Sequence, residues 1–391
     1  MNALDSFPPC MHSRVATCTR RGARMGLPLH LGAHRPRAPQ RGFTLVELMV
    51  ALVVGTFLLL ALSTLFVASS SNFAEAERSS REIENGRYAT SVLRDEIQHA
   101  GFYGEVGNVT NLLLAPPITV PTTMPDPCAT SIAGLTAALP LAIQGVDAPN
   151  AAPTCLPDRL AGTDVLVIRR ANTTTTTAAS AVANGYYTQV SKCATQLPMF
   201  MLAQSAFNLT LKDCATTANV RQYDVHIYYV SPCNVATGTG GACAASDLSL
   251  PTLKRLELVP GGFSNPVPLV EGVENLQFEY GIDTKSQPDG SPTCYVADAG
   301  LNNSAICPVM IPAYNWNSAP TNWSNVVAVR IHLLARNTTI TNGYVDGKTY
   351  QLGNLADGTP NNIAPGGGFK RHVFTEVTRV NNVGQRMEQP I

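Results

Sequence analysis

One carboxylate in this sequence stands out as a group that could do chemistry, because it lies at the start of a long apolar run. It is Glu47, and the run from Leu48 to Phe73 that follows it contains no charged residue. A charge at the edge of an apolar helix of membrane length is costly to bury and is functional by default. An ion pair would offset the desolvation of Glu47. In the alternative interpretation, its side chain only extends to the membrane interface.

Cysteines are the second group of residues with evident chemistry. The sequence contains ten: Cys10 and Cys18 precede the apolar run, and eight follow it. This even number after the run indicates disulfides in an oxidising compartment, although the sequence alone allows several connectivities. No two have the Cys-x-x-Cys spacing of a zinc or redox site, so we expect no metal. We expect bonds between sequence neighbours, because each would close a short loop rich in Pro, Gly, Ala, Thr or Asn. These pairs are Cys128–Cys155, Cys193–Cys214, Cys233–Cys243 and Cys294–Cys307.

Motifs of catalytic sites are absent from the sequence. It has no Gly-x-Ser-x-Gly elbow and no His-Glu-x-x-His pair. The glycines at 366–368 are not followed by the Lys-Ser or Lys-Thr of a phosphate-binding loop. We therefore expect a protein without enzymatic activity and without a cofactor, which argues against an anchored periplasmic enzyme.

Other polar positions favour structural roles. His226 and His332 lie on polar or mixed strand faces, so we expect both to be exposed to solvent. The segment from Asp283 to Asp289 contains two aspartates, but a calcium loop needs more carboxylates at alternate positions and a late glutamate. Lys285 and Gln287 occupy two of those positions. The sequence thus favours a hairpin loop over a calcium site.

The charges are distributed unevenly along the chain. Basic and acidic residues balance at 27 each, but residues 1–42 hold seven arginines and a single acid, Asp5. Without that segment the chain has an acidic excess of six, so we expect no nucleic-acid partner. Arginines before an apolar helix predict that residues 1–42 face the cytoplasm and the bulk of the chain the periplasm.

A long N-terminal helix is predicted over residues 43–102. Residues 43–66 are apolar enough to cross a bilayer, and residues 73–100 are amphipathic. We expect the helix to end before Gly101. The apolar or small residues that recur at helical spacing are Ile83, Gly86, Thr90, Leu93, Ile97 and Ala100.

Strands are predicted in the remaining chain, residues 103–391. Alternation of apolar and polar residues between Gly, Pro and Asn is typical of strands. The segments are Asp164–Arg169, Tyr223–Tyr229, Lys254–Val259, Leu276–Ile282, Val327–Leu333 and Val373–Val377. Residues 115–160 read mostly as loop. The sequence therefore predicts an α+β fold, with the long helix packed on a mainly antiparallel sheet and long loops held by disulfides.

The segment from Arg41 to Glu47 resembles the processing site of type IV prepilins, because Gly42, Phe43, the glutamate and the apolar run have the required spacing. The resemblance implies cleavage between Gly42 and Phe43 by a prepilin peptidase and N-methylation of Phe43. It also implies a role in assembly for Glu47, which in a filament could form an ion pair with the N-terminal amine of a neighbouring subunit. Residues 1–42 would be a leader that is removed. Initiation at Met25 would leave a leader of 18 residues instead.

Three further segments are similar to PilW-type minor pilins. Residues 269–283 and 326–336 resemble sheet segments of that family, and residues 93–102 resemble its helix end. The resemblance implies a minor pilin that helps to prime type IV pilus assembly at the filament tip. It would contact other minor and major pilins through its helix, in the inner membrane first and then in the pilus at the cell surface. The loops in residues 105–260 could be adhesive. The alternatives are a pseudopilin of a type II secretion system and a membrane-anchored periplasmic binding protein.

Overall fold

The structure is a computed structural model that describes residues 42–110 and 117–388. The expected leader, apart from Gly42, lies outside the described residues, and so do Cys10, Cys18 and the alternative start Met25. The chain forms two compact units, one up to Leu65 and one from Phe66 onward.

Four α-helices and fourteen strands are present among the described residues. The helices are α1 (Leu45–His99), α2 (Ile132–Ala138), α3 (Ala319–Ser324) and α4 (Asn381–Met387). The first seven strands are β1 (Ile143–Val146), β2 (Val165–Ala171), β3 (Tyr187–Val190), β4 (Phe200–Ala203), β5 (Val220–Cys233), β6 (Ser249–Val259) and β7 (Gly262–Phe263). The others are β8 (Val267–Glu271), β9 (Val273–Ile282), β10 (Cys294–Val296), β11 (Val326–Arg336), β12 (Tyr350–Asn354), β13 (Pro360–Ile363) and β14 (Arg371–Arg379).

The long helix α1 contributes to both units. Its apolar first part has no buried residue, and α1 is long and apolar enough to cross a membrane. The helix ends at His99, as predicted, and Gly101 follows in the left-handed region with φ of 74°. The Gly101 amide donates to the Arg169 carbonyl at 2.8 Å, which ties the end of the helix to β2.

The smaller sheet of the second unit is antiparallel, in the order β10-β9-β11-β14. It lies against the buried stripe of α1, where Gly86 faces the ring of Phe374. A Cβ at position 86 would lie 2.1 Å from that ring, so only glycine fits this close approach. Most of the predicted stripe is buried, but Ile83 is only half-buried, and Glu82 and Ala89 are buried in addition.

The larger sheet contains β1-β2-β5-β3-β4, with β6 paired to β5, β7 and β8. Its central strands are buried on both faces. Leu166 and Tyr228 pack with α1 and the smaller sheet in one core, whereas Val167 and Ile227 pack in a second core. Burial on both faces explains why β2 has a continuous apolar sequence. A separate hairpin joins β12 and β13.

The predicted α+β fold is confirmed, and each of the six predicted strand segments lies in or overlaps a strand. The interpretation of residues 115–160 as mostly loop was incomplete, because α2 and β1 lie there. The strands β3 and β4 were not predicted either. These four elements, and the likewise unpredicted α3, α4, β7, β10, β12 and β13, have only two to seven residues each, which is too short for a clear periodicity.

Four disulfides lie in the second unit, with Cα–Cα distances of 5.0 to 5.9 Å. They are the expected neighbour pairs, Cys128–Cys155, Cys193–Cys214, Cys233–Cys243 and Cys294–Cys307. Each bond closes a local loop, and such bonds stabilise a fold mainly by restricting the unfolded chain.

Candidate functional site at the start of the long helix

The start of α1 is closed by reciprocal hydrogen bonds between Thr44 and Glu47. The Glu47 amide donates to the Thr44 hydroxyl at 3.2 Å. In return, Oε2 of Glu47 accepts from the Thr44 amide at 2.9 Å and from its hydroxyl at 3.0 Å. This is a capping box, which satisfies backbone donors that have no partner in the first helical turn. The Thr-x-x-Glu spacing is the sequence signature of such a box. The Glu47 carboxylate therefore has a role within its own helix, which the prediction of an intermolecular partner did not include.

The capping box uses only one of the two carboxylate oxygens of Glu47. No hydrogen bond to Oε1 is present among the described residues, and the side chain is exposed. A carboxylate has about four acceptor positions. Glu47 can therefore cap its own helix and still accept a donor from another molecule.

The peptide bond between Gly42 and Phe43 is also accessible. Phe43 is 89% exposed, although it is a large apolar residue. A Cβ at Gly42 would meet no atom within 4 Å, so the described fold does not require glycine at this position. The sequence-predicted residues Gly42, Phe43 and Glu47 thus lie together in one exposed segment before and in the first turn of α1.

The apolar part of α1 has a surface suited to lipid or to other apolar helices. Leu45, Phe57 and Phe66 are 69 to 75% exposed. The hydroxyls within this part bond to helix carbonyls three or four residues earlier: Thr56 donates to Val53, Ser63 to Leu59, and Thr64 to Ala61. In a bilayer core, polar groups need hydrogen-bond partners within the segment itself, and each of these three hydroxyls has one.

The amphipathic part of α1 is held to the larger sheet by an ion-pair cluster. Oε2 of Glu96 lies 2.9 Å from Nδ1 of His226, and Oε1 lies 3.4 Å from the Arg170 guanidinium. Burial opposes ionisation of Glu96, but its bonds and charge interactions with His226 and Arg170 are stronger and lower its pKa to about 2. The cluster fixes the end of α1.

The predicted exposure of His226 and His332 was wrong. His226 is half-buried beside Glu96, and His332 is buried, with Nε2 at 2.9 Å from Oε2 of Glu279. The carboxylate beside His226 comes from α1, which packs over the strand face, and the one beside His332 comes from the adjacent strand β9. Sequence alternation gives the face of a residue but not what covers that face.

One group of potential metal ligands lies close together among the described residues: Asp158, Cys233 and Cys243. Its two cysteines form a disulfide and therefore cannot supply thiolates. The loop from Asp283 is closed internally, because that buried carboxylate accepts from the amides of Lys285, Asp289 and Gly290. Both groups of side chains are thus engaged in bonds within the fold.

Two known protein families match parts of this chain. The family described as type IV pilus-assembly protein W (PilW) matches residues 227–382, which span β5 to the start of α4. The prokaryotic N-terminal methylation motif matches residues 37–63, which include Gly42, Phe43 and Glu47. No curated protein and no solved structure was found to match the chain. Both matches confirm the resemblance seen in the sequence, and together they support a PilW-type pilin related to the type IV pilus.

Proposed function

We propose that the chain is a minor pilin whose leader, residues 1–42, is removed by prepilin peptidase at the Gly42–Phe43 bond. Phe43 then becomes the methylated N-terminus. Residues 43–66 cross the inner membrane and later enter the filament core as the start of a helical segment that extends to residue 102. Residues 103–391 form the periplasmic and then extracellular globular part. The observation that supports this proposal is an exposed Gly-Phe peptide bond directly before an apolar helix. The capping carboxylate of that helix, Glu47, uses only one of its two oxygens within the described chain.

The processing step can be tested by mass spectrometry of the membrane-extracted protein. We expect an N-terminal peptide that begins at Phe43 and carries one methyl group. Gly42→Ala should block cleavage without changing the helix, because a Cβ at this position meets no neighbour. An intact leader in the wild-type protein, or cleavage after the apolar run, would contradict the proposal.

Glu47 has a role in assembly under this proposal. Its Oε1 accepts the N-terminal amine of a neighbouring pilin while Oε2 keeps the capping box. Glu47→Gln keeps a carbonyl oxygen for the cap but loses the charge, so it should be processed normally and enter pili poorly. Glu47→Ala should lose both the cap and the pairing. Equal recovery of Glu47→Gln and wild type in sheared pili would exclude the pairing role.

Priming at the filament tip is the finer part of the proposal. The strands β1 to β4 lie outside the segment that matches PilW and enlarge the second unit. A large globular part is easier to accommodate at the end of a helical filament than between neighbours inside it. A strain that lacks the chain should have few pili, and labelled protein should lie at pilus ends. Labelling along the whole filament would exclude the tip position.

A secretion pseudopilin would share the processing site and the apolar helix. The PilW match over residues 227–382 favours the pilus over this alternative. Deletion of the gene should therefore reduce piliation and leave protein secretion unchanged.

Adhesion is a second candidate function, supported by one disulfide-bonded loop. Asp247 accepts hydrogen bonds from the amides of Thr237 and Ala244 and thereby orders the loop that Cys233–Cys243 closes. Val235 and Leu248, within and just after this loop, are 69% and 78% exposed. Ordered loops with exposed apolar side chains are suited to binding.

The loop has to be tested by substitutions that leave the fold intact, because deletion of residues 105–260 would remove β2 and β5 from both cores. The double variant Val235→Ser/Leu248→Ser should assemble normal pili that attach poorly to cells. Val182→Ser, at a position 58% exposed in another loop, is the matched control. Normal attachment of the double variant would exclude this loop as an adhesive surface.

A further inference from the structure

Glu82 is a buried carboxylate on α1 that lacks a cationic partner. The residue is only 5% exposed. With the Asn337 amide oriented so that its nitrogen faces α1, that nitrogen donates to Oε2 of Glu82 at 2.8 Å. No basic side chain lies within 4.0 Å of Glu82 among the described residues. Burial raises the pKa of Glu82 to about 7, and the more distant charges of Lys370 and Arg371 offset this only in part. A buried carboxylate with so little compensation is expensive for the fold.

This carboxylate lines a cavity of about 500 Å³ within the second unit. The cavity lies between residues 74–85 of α1 and the segment that follows β11. Its lining is polar, and the groups that could accept or donate hydrogen bonds include Glu77, Glu82, Asn85, Glu271, Asn337 and Thr338. The space is large enough for a long side chain and much larger than a single ion needs.

The cations that line the cavity already have partners. The arginine–glutamate pairs are Arg78–Glu75 at 3.7 Å, Arg81–Glu77 at 2.5 Å and Arg336–Glu274 at 3.3 Å. Two carboxylates of the lining, Glu82 and Glu271, have no ion pair in the described part of the chain. Glutamates and arginines are equal in number in the lining, three each, but the arginines bond to other carboxylates, so the buried Glu82 is left without a cation that a basic group from outside could supply.

We propose that this cavity is a socket for a basic side chain, an arginine or a lysine, of a neighbouring subunit in the pilus. The inference rests on the proposed function, because the neighbour exists only in an assembling filament. The cavity is lined by α1, the helix whose preceding residues 43–66 are proposed to contact other pilins. Guanidinium and ammonium groups donate to carboxylate, amide and hydroxyl oxygens, all of which occur in the lining.

If the cavity is such a socket, loss of the Glu82 charge should affect stability and assembly in opposite directions. A purely structural role of Glu82 would not produce this result. Glu82→Gln removes the desolvated charge and keeps the shape, so the full-length variant in detergent should melt at the same temperature as wild type or higher at pH 8. Its recovery in sheared pili should nevertheless fall about tenfold or more, because the neighbour's buried cation loses its partner. The matched control is Glu77→Gln, which lines the same cavity but is 63% exposed and bonded to Arg81. The control should enter pili as well as wild type.

Several results would overturn the socket. Equal recovery of Glu82→Gln and wild type in pili would show that no cation depends on the carboxylate. Equal loss of both glutamine variants would indicate a general surface effect, and a lower melting temperature of Glu82→Gln would indicate a structural role. Stabilisation of the wild type alone by millimolar Ca²⁺ or Mg²⁺ would indicate a metal site. Absence of the processed wild-type chain from pili would instead contradict the proposed function itself, and the socket with it.

Discussion

Two buried polar side chains, one in each sheet of the second unit, have different kinds of partner. In the smaller sheet, charged side chains pair across adjacent strands: Glu279 of β9 contacts Arg330 and His332 of β11, at 2.8 and 2.9 Å. In the larger sheet, Gln189 of β3 bonds to the backbone of a loop: its Nε2 donates to the carbonyls of Leu209 and Ala218, and its Oε1 accepts from the Leu209 amide. Glu279 thus takes two of its partners from an adjacent strand, whereas Gln189 takes its partners from a loop.

This difference corresponds to the positions of the disulfides. The loop that Gln189 contacts is largely enclosed by Cys193–Cys214, and its residues could not serve as fixed partners if they moved freely. The Glu279 cluster needs no disulfide, because Asn354 of β12 supplies its remaining donor at 2.9 Å. The smaller sheet is therefore expected to be sensitive to loss of charge, and the outer strands of the larger sheet to loss of a disulfide.

The largest effect is expected for Glu279→Ala. This change leaves Arg330 and His332 without their shared carboxylate in a site where Glu279 is only 2% exposed. The free energy of unfolding should fall by about 3–5 kcal/mol, as is typical when one member of a buried pair is removed. Denaturant unfolding of the full-length protein measures this, with Glu279→Gln as a control that keeps the shape. A loss below about 1 kcal/mol would contradict the view that charge pairing holds this sheet.

Loss of a disulfide should have a somewhat smaller effect, concentrated in the larger sheet. The variant Cys193→Ser/Cys214→Ser should lose about 2–4 kcal/mol of stability. The Leu209 amide, which donates to Gln189, should exchange its hydrogen faster. In the control Cys294→Ser/Cys307→Ser, at the edge of the smaller sheet, this amide should remain protected. Equal exchange in the two variants would remove the proposed link between the loop and its disulfide.

The same contrast determines what could be predicted from the sequence. The strands β5, β9, β11 and β14 have many alternating residues, and their partners lie in other long strands, so the local pattern was sufficient. The strands β3 and β4 have four residues each and depend on contacts such as those of Gln189, which no local pattern reveals. Gly42, Phe43 and Glu47 could be singled out from their spacing alone, and the roles assigned to them stay predictions. The burial of Glu82 and His332 could not, because it depends on the elements that cover them.

The contacts of α1 show the opposite arrangement, because here the paired charges lie toward the larger sheet. On its side toward the larger sheet, Glu96 is paired with His226 and Arg170, whereas Glu82, beside the end of β11, has no cation. The pKa of Glu96 falls from an ordinary 4.5 to about 2 on folding, so its contribution is complete above pH 4.5 and is lost as the pH falls toward 2. Glu96→Gln should therefore cost about 2–3 kcal/mol at pH 7 and progressively less below pH 4.5. Unfolding curves between pH 7 and pH 3 measure this, with the exposed Glu84→Gln on the same helix as the control. A cost of Glu96→Gln that does not change with pH would mean that shape, rather than charge, joins α1 to the larger sheet.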